Sequence, residues 1–344
     1  MNFSKQHSPT RPKVSVCVPV YNVANYIEVC VKSLMEQTLD SVEYVFVDDC
    51  SPDNSLELLE ATVGRYPARK NSITILRNAE NMGPGLSRKR AAEAATGEYI
   101  YFPDSDDWIE TDMLETMYSK AVETDSDIVR CHILLHHGTC DKRMPGRIDY
   151  TVDEWRRHLI ICDDVYPGLT TSLFRKSIVD NVLTKFPTSR LYAFEDYLLS
   201  VMAYFYAHDV TFIDRDFYHC NVGNPNSVTK IISQRTIDSK LTVAAALHDF
   251  CIERADIDEY STLVYNFMAI SKLELLAHRN MWQPDRWRST WPELNAPEYI
   301  HLTGVKTRFY RAIARAVNHQ YDFFGYILLC IMLLLDKLRI IIPR

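Results

Sequence analysis

Apolar runs of four or five residues alternate with stretches of helical periodicity through the first hundred positions. Val14-Ser15-Val16-Cys17-Val18 is followed at once by Pro19, the pattern of a short buried strand. From Ala24 to Gln37, the residues Ile27, Val31, Leu34 and Met35 recur at the spacing of one helix face. Glu43–Val47 predicts a second strand, which runs into Asp48-Asp49. Ser51-Pro52-Asp53 joins a cap residue to a proline suited to a first helical turn, and predicts a helix reaching about Tyr66. Ile73–Leu76, Gly85–Ala95 and Tyr99–Phe102 then predict strand, helix and strand.

Alternation at this pace points to βαβ units, hence an α/β fold with a mainly parallel sheet flanked by helices. Beyond Trp108 the pattern loosens. Met113–Val122 and Val152–Ile161 read as helices, and Ile128–Leu135 as a strand. Phe194–Tyr206 is a strongly apolar helix entered through Glu195-Asp196, Val210–Ile213 a strand, and Asn221–Ser227 a loop. From about Ile231 the chain reads as almost wholly helical, with Leu241–Cys251 and Leu263–His278 the clearest segments. The expected organisation is a flexible tail over 1–12, an α/β domain over 13–230, a helical region over 231–300, and a basic, apolar tail over 301–344.

Parallel sheets bind ligands outside the carboxyl ends of their strands. Three predicted strand ends carry distinctive polar residues: Pro19-Val20-Tyr21-Asn22, Asp48-Asp49, and Asp104-Ser105-Asp106-Asp107. These should converge on one crevice. In isolation the acidic cluster reads as a solvated turn. At the end of a buried strand its like charges are costly, because each raises the pKa of the others, unless a cation sits among them. A hard divalent ion carrying a phosphate substrate takes such oxygen ligands.

Composition narrows the class. With 47% hydrophobic and 24% charged residues among 344, the chain is that of an ordinary globular protein. A net charge of −7 argues against a nucleic-acid partner. Nine scattered cysteines, with no Cys-x-x-Cys pair, read as reduced thiols in a cytoplasmic protein, and no signal peptide is expected over 1–13.

Four ordered segments carry a family resemblance: Val16-Cys17-Val18-Pro19-Val20-Tyr21-Asn22, Val47-Asp48-Asp49-Cys50-Ser51-Pro52-Asp53-Asn54-Ser55, Asn81-Met82-Gly83-Pro84-Gly85-Leu86-Ser87-Arg88-Lys89-Arg90, and Ala95 through Trp108. Together they resemble the N-terminal half of a family 2 glycosyltransferase with the GT-A fold, of the bacterial surface-polysaccharide type. The resemblance spans roughly Lys13 to Thr229. It implies an inverting enzyme that moves a sugar from a nucleotide-sugar donor, usually UDP-linked, to an acceptor hydroxyl on a glycan or lipid-linked acceptor. It also implies a divalent metal, Mn2+ or Mg2+, that neutralises the departing diphosphate.

By the same resemblance, Asp106 is the expected metal ligand, with Asp104 contacting the donor's ribose or the ion, beside Ser105. Asp107 either acts through water or caps a helix after Trp108. Trp108 packs rather than stacks on a sugar. Asp49 matches the position that bonds the uracil ring, while Asp48 serves either the donor or its own loop. Pro19, Tyr21 and Asn22 match the donor-binding first motif, with Tyr21 stacking on or bordering the base and Pro19 mainly shaping the loop. Arg90 matches the arginine that faces the nucleotide or diphosphate, and Arg88 and Lys89 read as solvated helix residues. Asn81 and Gly83 are expected in a tight turn. Asp196 is the expected catalytic base, with Glu195 orienting it or touching the acceptor; two acids that merely favour a helix N-terminus are the alternative. His219, Ser227 and Lys230 are further candidate contacts. The sequence departs from the family pattern at Cys50, where glycine is usual, at Ala91 and Glu93, and at Pro103.

The tail adds a separate expectation. From His301 onward seven Lys/Arg face two Asp, so this end carries +5. On a helical wheel Phe309, Ile313, Ala316 and Val317 oppose Arg308, Arg311 and Arg315, which suggests a basic amphipathic helix on an anionic membrane surface. Phe323–Leu335 follows with no charge, too short to span a bilayer. A helix packed on the protein, or in a homo-oligomer interface, is the alternative. Two other readings of the whole chain stand beside the enzyme: a nucleotidyltransferase, disfavoured because Val20–Ala24 lacks the glycine-rich loop after the first strand, and a catalytically silent nucleotide-sugar scaffold.

Overall fold

The computed structural model describes residues 11–137, 141–144, 150–162, 165–224, 232–254, 257–300 and 306–337. The chain divides into two compact units, Met1–Ser227 and Val228–Arg344.

The first unit opens with β1 (Val14–Val20), α1 (Ile27–Met35), β2 (Val42–Asp48), α2 (Ser55–Val63), β3 (Ile73–Arg77), α3 (Pro84–Ala94) and β4 (Tyr99–Tyr101). It continues with β5 (Trp108–Ile109), α4 (Met113–Thr124), β6 (Ile128–His136), β7 (Asp141–Arg143), α5 (Val152–Ile161), β8 (Ser172–Arg175), α6 (Lys176–Lys185), α7 (Glu195–Tyr206) and β9 (Val210–Asn221). Among the described residues the strands form one sheet in the order β3-β2-β1-β4-β8-β6-β9-β5, with β7 beside β6. Strands β3, β2, β1 and β4 are mutually parallel, as the alternating pattern predicts. The far half is mixed: β8 runs antiparallel to both β4 and β6, and β9 runs parallel to β6 but antiparallel to β5. All seven residues of β1 are buried, which explains its unbroken apolar run.

Three elements differ from the sequence expectation for physical reasons. Ser51-Pro52-Asp53 starts no helix; α2 begins at Ser55. Asp53 instead accepts from Ala24 N (3.0 Å) and from the Ser55 hydroxyl (2.6 Å), while Ser55 Oγ accepts from Val23 N (2.9 Å). These bonds lace the loop after β2 to the loop after β1. A short strand that the pattern did not suggest, Trp108-Ile109, stands between the acidic loop and α4, which starts at Met113 as its spacing predicts. Strand β9 runs eight residues past Ile213, through Asp214-Arg215-Asp216, because those charges find partners across the surface. Arg143 Nε meets Asp216 at 2.7 Å and Arg215 meets Asp112 at 2.7 Å.

The second unit is helical: α8 (Gln234–Glu253), α9 (Ile257–Ala277), α10 (Pro284–Ser289), α11 (Lys306–Asn318) and α12 (Asp322–Lys337). Its core joins Leu241, Leu276, Trp287, Ile313, Val317, Leu329 and Met332. The segment expected as a separate tail therefore shares one core with the helices before it.

Candidate active site

The site is assembled at the carboxyl ends of β1, β2 and β4, where chain reversal requires unusual backbone. Asn22 and Cys50 both adopt positive φ, 54° and 60°. The second value accounts for the glycine usual at position 50, since in the left-handed region a Cβ crowds the backbone carbonyl oxygen.

Asp49 is 2% exposed and gives its carboxylate to the protein. Oδ1 accepts from Asn78 Nδ2 and Met82 N, both at 2.7 Å, and Oδ2 from Gly83 N at 2.8 Å. The expected uracil-facing carboxylate thus knits the β3–α3 loop to β2. Asp48 is buried; its Oδ1 accepts from Ser51 N at 3.1 Å, the loop-serving alternative, and Arg77 Nε lies 3.2 Å from its Oδ2. Pro19 is buried within β1, whereas Tyr21 is 45% exposed.

Helix α3 then lies close against α7. A Cβ at Gly85 would stand 3.0 Å from Glu195 Cβ, so any larger residue would press α7 outward by a few tenths of an ångström. On the same face, one turn on, Arg88 is 5% exposed and bridges two carboxylates: its Nη2 donates to Asp104 Oδ1 (2.5 Å) and its Nη1 to Glu195 Oε1. The arginine that faces the site is therefore Arg88. Arg90 points elsewhere, donating to Arg77 O (2.8 Å) and Asn78 Oδ1 (2.5 Å). Both sequence assignments reverse here. The signal was present, since Arg88 shares a face with Gly85, Ala91 and Ala92, which is the buried face of α3. Burial disfavours the Arg88 charge, but Asp104 and Glu195 outweigh it and raise its pKa.

The acidic loop is held from β9. The Tyr218 hydroxyl donates to Asp107 Oδ2 (2.5 Å) and accepts from Asp104 N (3.3 Å), and Asn221 N donates to Asp107 Oδ1 (2.7 Å). Asp107 is thus an anchor of the loop and caps no helix. Burial, then Asp106 and Asp104, push its pKa well above the carboxylate range. Asp106 accepts from Asn224 Nδ2 at 2.8 Å and is raised by burial and by Asp104. Ser105 is buried between them. Asn224 received no role from the sequence reading, and Tyr218 entered it only as part of a family-like segment, Tyr218-His219, expected to close over the diphosphate.

Glu195 and Asp196 open α7, directly after Phe194, which is held at φ 66°. Burial raises Glu195 to about 7, with Arg88 pulling it down and Asp196 pushing it up. Asp196 is raised by burial, opposed by Arg88 and reinforced by Asp104. Its Oδ1 accepts from its neighbour Tyr197 N at 2.8 Å.

His219 stands apart from these acids. It hydrogen-bonds Glu110 (2.8 Å) and His136 (2.9 Å), and stacks on Trp108 with ring centroids 5.3 Å apart. Trp108 packs, as expected. Ser227 and Lys230 lie outside the described residues. A small, partly open pocket is lined by Arg130, His132, Tyr166, Thr171 and Phe212 among others. Burial first, then the charges of Asp196 and Asp104, raise the Tyr166 phenol well above its ordinary pKa.

Sequence comparison identifies the family: the description "Glycosyl transferase family 2" matches residues 15–198, just over half of the chain. The chain belongs to glycosyl transferase family 2. It is a glycosyltransferase, and the sugar it moves comes from a nucleotide sugar. It is 29% identical over 284 residues to EpsH of Bacillus subtilis (strain 168), whose own glycosyltransferase designation is provisional; the match covers 81% of this chain and 78% of that one. It is 33% identical over 211 residues to the poly(ribitol-phosphate) beta-glucosyltransferase of Bacillus spizizenii, covering 60% of this chain and 32% of that protein. Among solved structures it superimposes on S. aureus TarS 1-349, crystallised with UDP-GlcNAc, with a TM-score of 0.66 and 20% identity over 91% of this chain and 89% of that one. That likeness establishes the GT-A fold.

Proposed function

We propose that this family 2 enzyme transfers a sugar from a UDP-sugar to a hydroxyl of a glycan or lipid-linked acceptor, with inversion, in surface-polysaccharide synthesis. The observation that carries the proposal is the meeting of Asp104 and Glu195 on one buried arginine, with Asp106 and Asp196 beside them. Segments almost a hundred residues apart thereby supply both a donor end and an acceptor end to one crevice. The UDP-GlcNAc bound by TarS supports a UDP-linked donor, and the acceptor named for the Bacillus spizizenii relative supports a cell-surface polymer.

The donor set suits a divalent metal. Asp104 and Asp106 each use one oxygen within the protein, on Arg88 and Asn224 respectively, which leaves one oxygen of each for an ion. Among the described residues no three His, Cys, Asp or Glu side chains form a preformed cage. Such a site fits an ion that takes one or two carboxylates and completes its shell with substrate phosphate oxygens, as Mg2+ does and as we propose for Mn2+ here. When bound, the ion neutralises charge on the departing diphosphate. Asp196 is the base: it takes the acceptor hydroxyl's proton at its second carboxylate oxygen during in-line attack, and its raised pKa makes it more basic at neutral pH. Glu195, clamped by Arg88, fixes the start of α7 and so orients Asp196.

The workplace proposed is the cytoplasmic face of the cell membrane, peripherally. No helix among the described residues is long and apolar enough to cross a membrane.

The test is sugar transfer and nucleoside-diphosphate release across a panel of nucleotide sugars, with and without Mn2+. Asp196→Asn should lower turnover by about 10²–10⁴-fold with the fold intact, and Asp106→Asn should abolish metal-dependent donor binding. Near-normal turnover from both variants would overturn the assignment.

A further inference from the structure

Helix α12 is apolar on two opposite faces, and only one of them is covered. Gly325, Leu329 and Met332, at helical spacing, are buried in the core of the second unit. Gly325 lets α11 approach, since a Cβ there would lie 3.2 Å from Val317 Cγ2. On the other side Phe323 (79%), Phe324 (59%), Ile327 (36%), Ile331 (44%) and Leu334 (56%) are exposed. At 100° per residue these five fall within about a 100° arc. A helix that is apolar all round belongs in an apolar medium on both sides.

The sequence placed the membrane contact on α11. The structure removes that option, because Ile313 and Val317 of α11 are fully buried against Trp287, Leu329 and Met332. What α11 leaves outside is basic: Arg308 and Arg315 are exposed.

We propose that the bare face of α12 lies in the plane of an anionic lipid surface, with Arg308 and Arg315 meeting the headgroups. This deepens the peripheral membrane placement proposed above. Two observations favour lipid over a second copy of the chain. The stripe from Phe323 to Leu334 is only ~17 Å long at 1.5 Å per residue, so it offers roughly 200 Å² where a stable dimer needs about 800 Å² per partner. Arg308 and Arg315 are exposed and like-charged, so a second copy offers them no opposite charge from this helix, whereas anionic headgroups do. An apolar stripe and exposed basic residues on two helices that share one core supply the two-part signal that lasting peripheral attachment requires.

The experiment is flotation of the full chain with phosphatidylcholine vesicles, with and without phosphatidylglycerol. Wild type should float with the anionic vesicles and far less with neutral ones. Phe323→Ser/Phe324→Ser/Ile331→Ser should lose binding by about tenfold or more, and Arg308→Glu/Arg315→Glu should abolish the anionic preference. Both variants should keep wild-type thermal unfolding and nucleotide-sugar hydrolysis in solution, so a failed membrane proposal stays distinct from a failed catalytic one. Undiminished flotation of the serine variant overturns the proposal. So does a wild-type dimer in solution that the serine variant converts to monomer while wild type ignores vesicles.

Discussion

Replacing Arg88 with methionine tests the centre of the argument. The side chain bridges Asp104, whose side chain is 34% exposed, and Glu195, whose side chain is 7% exposed. Solvent screens the first pair, so its share should stay under ~1 kcal/mol. Stripping the partner from a buried charge costs about 3–5 kcal/mol, and Glu195 can limit that cost by taking a proton. The sign of the pH dependence follows. With Arg88 present, burial already lifts Glu195 to about 7, above its unfolded value near 4.5. The folded state thus holds a proton that the unfolded chain has lost, and stability falls as pH rises from about 4.5 to about 7, then levels. Without Arg88 the folded pKa climbs further, so the decline continues past 7. The stability gap between wild type and Arg88→Met should be smallest near pH 5.5 and widen to about 3 kcal/mol or more by pH 8.5. Urea unfolding at pH 5.5, 7 and 8.5 measures it. Adding Glu195→Gln should recover a large part of the loss at pH 8.5, because the stranded charge is gone. Turnover should fall about 100-fold through misplacement of Asp104 and Asp196. A gap that ignores pH, or a double variant no better than Arg88→Met alone, would refute the reasoning.

Further outcomes follow from other contacts. Tyr218→Phe removes one donor from the buried Asp107 carboxylate and should cost about 1–3 kcal/mol, with a raised KM for donor; an unchanged KM would show that the acidic loop holds its shape without it. Asp49→Ala unties Asn78, Met82 and Gly83, so it should destabilise more than it slows catalysis at saturating donor; thermal unfolding and kcat compared side by side decide this. In the second unit Lys272 is fully buried and lowered to about 8 by desolvation. Its folded pKa lies below its unfolded one, so wild type should gain stability between pH 8 and about 10.5 relative to Lys272→Met, and parallel urea midpoints across that range would contradict the assignment.

Much of the near half of the sheet was legible in the chain. Continuous apolar runs at Val14, Tyr44 and Tyr99 require strands covered on both faces, and the helical spacing between them requires crossovers, so three strand ends had to open on one side. The acidic loop and Glu195-Asp196 were legible for a related reason: clustered carboxylates at buried element ends need a cationic partner. Which cation answers them was harder to read, its signal being the face that Arg88 shares with Gly85, Ala91 and Ala92. Arg88 and Arg90 are two residues apart with the same charge, and only the packing of α3 on α7 turned one inward and the other toward Asn78.

Where long-range pairing sets the environment, local pattern misleads. The charges of Asp214-Arg215-Asp216 look like a strand's end until Arg143 and Asp112 arrive from elsewhere in the chain. Asp49 looks like a ligand-facing acid until the β3–α3 loop folds back onto it. The tail shows both limits at once. Its sequence determined that a basic amphipathic helix and then an apolar one would form. Tertiary packing alone decided that α11 would spend its apolar face on the core and leave α12's outer face bare, because burial depends on which neighbour arrives and periodicity cannot record that.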